Sequence, residues 1–175
     1  PLQSRAVAGG LGAVRSALAS YWPALVIGAA QVVVMYVVVH FGVGLRPVYV
    51  WGTIGFLILA AATWMALIQA FNAIFGPAVG RVVTLAVLML MLVSSGGIYP
   101  VQTTAKPFQI LHPFDPMTYT VNGLRQLTVG GIDHRLWVSI GVLLGIIAVS
   151  LAATALSAWR NRQYTMERLY PPVEV

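Results

Sequence analysis

Ser94, His112 and Asp115 are the residues whose types come closest to a catalytic set: a hydroxyl, an imidazole and a carboxylate within one stretch of the chain. A serine nucleophile needs a base on its hydroxyl and a third group that orients the base. The local signature of such a serine, the G-x-S-x-G elbow, is absent. His40, His112 and His134 fall in separate segments with no H-E-x-x-H or comparable spacing, so metal binding is not expected. The chain has no cysteine, which removes thiol catalysis, disulfides and cysteine metal sites. It has no G-x-x-x-x-G-K-[ST] loop, so it does not itself bind ATP in the P-loop manner. The chain is therefore expected not to be an enzyme and to need no cofactor. The polar residues worth following are Gln31, Ser94, Ser95, Asp115, Asn122 and Arg125, as members of a path or of polar packing between helices.

The elements that must position these residues are apolar. Residues 24–41, 48–71, 82–98 and 136–158 each run roughly 17–24 residues, about enough to cross a hydrocarbon core of ~30 Å. His40, at the edge of the first, is the only ionisable side chain of the Asp, Glu, Lys, Arg or His type inside these limits. A charge at the bilayer centre costs at least about 2.5 kcal/mol, and the charge here has gone to ends and loops. The chain is 59% hydrophobic and 8% charged, with mean hydropathy +0.85, where a soluble domain carries about 25% charge. The fold class this implies is all-α: a polytopic helical membrane protein with four transmembrane helices. The net charge of +6 does not point to nucleic acid, because the basic residues flank the spans and form no separate patch.

Between and around the spans the sequence has further organisation. Residues 4–20 read as an amphipathic interfacial helix, with Val7, Leu11, Val14 and Leu18 on one face and Ser4 as its cap; a flexible linker is the alternative. Tyr21 and Trp22 follow as an interfacial pair, and Pro23 suits the first turn of the next helix. Residues 72–81 read as a turn punctuated by glycine and proline. Residues 100–135 hold Pro100, Pro107, Pro113 and Pro116 and are too apolar for a free loop, yet too short and broken to span. They predict an extracytoplasmic re-entrant segment of two short outer-leaflet helices, one before Pro113 and one after Pro116, packed on the spans or lining a path. Asp115 and Arg125 are expected at its polar boundary. Residues 159–175 form a polar tail. Gly141 and Gly145 make a G-x-x-x-G pair on the last span, and Gly76 and Gly80 make another at the turn. Such pairs pack helices closely, within one chain or between subunits.

Orientation follows from the basic residues. With both termini of the segment cytoplasmic, Arg5, Arg15, Arg81, Arg160, Arg162 and Arg168 lie inside, and Arg46, Lys106, Arg125 and Arg135 outside. The chain begins at Pro1 rather than Met and shows no signal peptide, which reads as the C-terminal part of a longer protein.

The elements Ser94-Ser95-Gly96-Gly97-Ile98-Tyr99-Pro100, His112-Pro113-Phe114-Asp115-Pro116-Met117-Thr118-Tyr119 and Val121-Asn122-Gly123-Leu124-Arg125 resemble the YhgE/Pip (phage infection protein) family. That family is similar to the membrane domain of type-2 ABC exporters. The resemblance covers essentially the whole chain and implies that it is the last four of six spans. It implies a permease-like domain in a bacterial cell membrane that assists export of an amphipathic, lipid-like or polymeric cargo. It implies a homodimer or larger membrane complex and a separate ATPase subunit, with residues 4–20 and 72–81, and so Arg5, Arg15 and Arg81, as the coupling surface. A non-transporting scaffold or receptor in phage entry or secretion, anchoring an extracytoplasmic region, is the alternative.

Overall fold

In a computed structural model, residues 10–97, 100–103 and 105–160 are described. The expectations placed on Ser4, Arg5 and Val7, and on the tail with Arg162 and Arg168, lie outside the described residues. Helix α1 (Gly10–Val38) passes into a π-helical turn, Val39–Val43. Then come α2 (Val50–Phe75), α3 (Pro77–Ser94), α4 (Lys106–Leu111), a 3-10 turn (His112–Phe114), α5 (Pro116–Val129) and α6 (His134–Arg160). No strand occurs among the described residues. Among the described residues four stretches are long and apolar enough to cross a membrane: Ala17–Val43, Val50–Phe75, Pro77–Ser94 and His134–Ala158. The protein is an all-α polytopic membrane protein.

The spans differ from their sequence-based limits in two places, each for a physical reason. Over 10–20, the described part of the expected interfacial helix, the chain does not break before Pro23. One helix runs from Gly10 through Pro23. Proline removes one backbone donor, but two bonds to α2 hold the flanking turns in line. Tyr21 donates its hydroxyl to the Ala62 carbonyl at 2.7 Å, and Gln69 Nε2 donates to the Ala17 carbonyl at 3.0 Å. Tyr21 is thus buried, while Trp22 alone stays exposed as an interfacial aromatic. Of the apolar face assigned to the interfacial helix, Val14 and Leu18 point away from the bundle. The second difference lies at 72–81, where a turn was expected. Helix α2 continues to Phe75, α3 begins at Pro77, and Gly76 alone joins them. Gly76 has φ 82°, a conformation that costs a residue with a Cβ. Gly80 then meets Asn72 so closely that an added Cβ would lie 2.8 Å from the Asn72 Cα. The third span consequently starts at Pro77 and ends at Ser94, earlier at both ends than 82–98.

Helix α2 is the centre of the bundle; α1, α3, α5 and α6 all pack on it. Its buried face reads Thr53, Phe56, Ala60, Thr63, Ala66 and Ala70, and α6 answers with Leu136, Ser139, Leu143, Ser150 and Thr154. Small side chains let the two backbones approach where lipid supplies no hydrophobic drive. Four of their hydroxyls donate to carbonyls of their own segment, Thr53 to Tyr49, Thr63 to Leu59, Ser139 to Arg135 and Thr154 to Ser150, and Thr63 also reaches the Leu143 carbonyl of α6 at 3.5 Å. Polar residues can therefore sit inside the bundle at little cost. At one end, Ser157 donates to the Ala73 carbonyl and Gln69 reaches Ala17, so the start of α1, the α2–α3 joint and the end of α6 meet. At the other end, the amides of Val48 and Tyr49 donate to the carbonyls of Thr128 and Leu127, tying the α1–α2 connection to the end of α5. The first is the near end of the bundle and the second its far end.

Candidate functional site

Helices α4 and α5 sit at the far end as two short helices divided between Pro113 and Pro116, as the proline spacing predicts. Lys106–Leu111 is the first, capped by the 3-10 turn at His112–Phe114. Pro116 opens the second, and Asp115 is its N-cap, accepting from the Met117 amide at 2.8 Å. The helix packs on both α2 and α6. Phe56 of α2 lies against Gly123, in a cluster with Leu127, Leu136 and Leu143.

The polar residues that fasten this pair converge on the end of α3. The Ser94 hydroxyl donates to Asp115 Oδ2 at 2.6 Å, and both residues are almost fully buried, 0% and 1% exposed. His112 Nδ1 lies 2.7 Å from the Ser94 carbonyl oxygen and 3.1 Å from the Thr118 hydroxyl. A carbonyl oxygen only accepts, so the proton sits on Nδ1. Ser95 is buried beside Ser94 and accepts from the Gly97 amide at 3.4 Å. Arg125, exposed, donates to the Gly96 carbonyl at 3.0 Å. Ser94, Ser95, Asp115 and Arg125 are thus brought together. Asp115 departs from its expected place at the polar boundary, because its two carboxylate oxygens are both used inside. Asn122 is half-buried on α5 and has no hydrogen bond to this group. His112 and Thr118 complete the clasp. The sequence singles out His112 by its residue type, while Thr118 carries one signal, its place just after the Pro113–Pro116 break.

This arrangement is a clasp and not a relay. The imidazole engages the backbone carbonyl of Ser94, not its hydroxyl, and that hydroxyl already bonds the carboxylate directly. Burial pushes the Asp115 carboxyl above its ordinary value of 3.8, opposed by the bonds from Ser94 and Met117, the nearby His112 and the Thr118 amide. A carboxyl whose folded pKa is raised contributes stability in full below 3.8, and that contribution is lost as pH rises through the raised value. Replacing Asp115 with Asn keeps an acceptor for the Met117 amide and cannot ionise. Asp115→Asn should thus flatten the fall in thermal stability from about pH 4 upward. Asp115→Ala, which leaves two donors without an acceptor, should cost about 3 kcal/mol at acid pH. Thermal unfolding of detergent-solubilised protein across pH reads both, and a wild-type slope that survives in Asp115→Asn would remove Asp115 as its source.

The other sequence-selected residues lie apart from the clasp. Gln31, midway along the first span, is exposed on α1 and makes no hydrogen bond among the described residues. Gly141 and Gly145 also face outward, and a Cβ at either would touch nothing. They do not pack helices within the chain; the opposite face of α6 does that. At the near end Arg15 and Arg81 are both exposed, with no partner among the described residues.

A four-span bundle with a re-entrant helix pair clasped to its far end is the context in which relatives become informative. The family model for the ABC-2 type transporter matches residues 5–129, which include the clasp, the re-entrant pair and the first three spans. The chain belongs to the ABC-2 type transporter family. Its similarity also extends to the protein named "Uncharacterized protein YhgE" of Bacillus subtilis (strain 168), 29% identical over 145 residues. That alignment covers 82% of this chain and 19% of the relative, so the chain spans about a fifth of the curated relative it matches. No solved structure matches. The resemblance read from the elements around Ser94, Asp115 and Arg125 is upheld: this is a YhgE-like domain of the ABC-2 permease type.

Proposed function

We propose that this ABC-2 domain works as an export permease in a bacterial cell membrane, with its near end in the cytoplasm, and moves an amphipathic, lipid-like or polymeric cargo outward. The observation that carries this reading is the division of labour between the two ends. The far end is held by a buried, hydrogen-bonded clasp, and the near end offers two cations, Arg15 and Arg81, exposed and without a partner among the described residues. A separate ATPase docks on those cations, together with Arg5. The working unit is a homodimer or larger complex, supported by Gln31 and the Gly141–Gly145 face, which stay uncovered in a single chain although lipid is a poor partner for an amide. One observation favours the scaffold or receptor reading instead. The hydroxyls of Thr53, Thr63, Ser139 and Thr154 inside the bundle bond backbone carbonyls, so among the described residues they offer no free donors for a polar path.

Topology is the first test. Cysteines placed singly at Arg46, Lys106, Arg81 and Arg162 should react with an impermeant reagent from outside the cell at the first two only. Labelling at position 81 or 162 from outside would invert the domain and end the coupling reading.

A further inference from the structure

A cavity of about 500 Å³ opens at the near end between α1, α2, the start of α3 and α6. Its volume is that of a site for a small molecule or a lipid chain. Ala24, Met65, Ile68 and Pro77 give it apolar walls, and Gln69 gives it a polar edge. The Gln69 amide nitrogen is committed twice, to the Ala17 carbonyl at 3.0 Å and to the Ser20 hydroxyl at 2.8 Å. That fixes the amide and leaves its carbonyl oxygen as an acceptor without a donor among the described residues. Arg81 does not itself line the cavity; it lies one helical turn beyond Pro77, which does, and its neighbour Gly80 packs on Asn72, another lining residue. Arg81 is exposed and unpaired, in the second turn of a helix that itself spans. A guanidinium there needs an anion at the level of the lipid phosphates.

One ligand answers all three features. The geometry points to a bound phospholipid with an anionic, hydroxyl-bearing headgroup, phosphatidylglycerol in kind. Its acyl chain fills the apolar cavity, its phosphate pairs with Arg81, and a headgroup hydroxyl donates to the Gln69 carbonyl oxygen. Phosphatidylcholine has the chain and phosphate but no donor and no net charge. Inorganic phosphate has the charge and donors but no chain.

The inference shares Arg81 with the transport reading, but lipid retention is read without an ATPase or cargo, so either can fail alone. The full-length protein is purified in mild detergent and supplied with phosphatidylglycerol, phosphatidylcholine or inorganic phosphate, and bound lipid is counted by native mass spectrometry. Phosphatidylglycerol should be retained over phosphatidylcholine, and excess phosphate should not displace it. Arg81→Gln should lower its retention about fivefold, the worth of one basic residue at a membrane surface. Arg15→Gln should leave retention at the wild-type level. Ala24→Leu, which narrows the cavity without touching charge, should lower retention as well. Three results would overturn the site: equal retention of the two lipids, displacement by phosphate, or equal losses in Arg81→Gln and Arg15→Gln. Should Ala24→Leu not fold, the contrast between the two arginine variants still decides.

Discussion

Reversing charge at both near-end arginines, Arg15→Glu with Arg81→Glu, should abolish export and the co-purification of an ATPase, while the protein still inserts and folds. Both side chains are exposed and have no partner among the described residues, so each change removes no bond there. Isolated surface charges contribute about 0–1 kcal/mol to stability, too little to unfold the bundle. Across a docking interface the same reversal sets like charges against each other, which costs several kcal/mol and slows encounter. The loss should therefore appear in complex formation first and in transport as its consequence. Each single reversal should give a partial loss, because the two arginines lie on different helices, α1 and α3. A scaffold has no engine to lose. Normal function in the double variant, with no ATPase in the purified full-length complex, would favour the scaffold reading.

Gly123→Val should be the most damaging single change to the fold among the described residues of α5. A Cβ at this position would collide with the Cζ edge of the Phe56 ring, 2.8 Å from both its Cε atoms. Phe56 has nowhere to withdraw, since it is 4% exposed and already packs with Leu127, Leu136 and Leu143. Relief must come from moving α5 off α2, which pulls on the clasp at Asp115 and on the bonds from Val48 and Tyr49 to the end of α5. Overpacking of this kind costs about 3 kcal/mol. The expected readouts are a lower unfolding temperature and new protease cleavage between Lys106 and Arg125. Phe56→Ala should cost stability alone but restore part of it in the Gly123→Val background, since the two share one space. A Gly123→Val protein with wild-type stability would mean that α5 is not seated on Phe56.

The sequence by itself determined the features that depend on local composition. Four spans follow from hydropathy, because the bilayer excludes charge whatever the neighbours are. The division of the re-entrant pair follows from Pro113 and Pro116, which act on their own turns of backbone. The family resemblance followed from motifs contiguous along the chain. Tertiary structure decided what depends on partners distant in sequence. Pro23 stands inside a helix because Tyr21 and Gln69 bridge α1 and α2 around it, and no local rule contains those bonds. Asp115 is an internal clasp rather than a surface carboxylate because Ser94, at the end of another helix, supplies its donor. Span three starts at Pro77 because Gly80 can close on Asn72, a fit between two backbones. On α6, small residues line both sides of the helix. Gly141 and Gly145 carry the recognisable spacing, yet Ser139, Leu143, Ser150 and Thr154 face α2, and only the packing of the whole bundle chooses between the two faces.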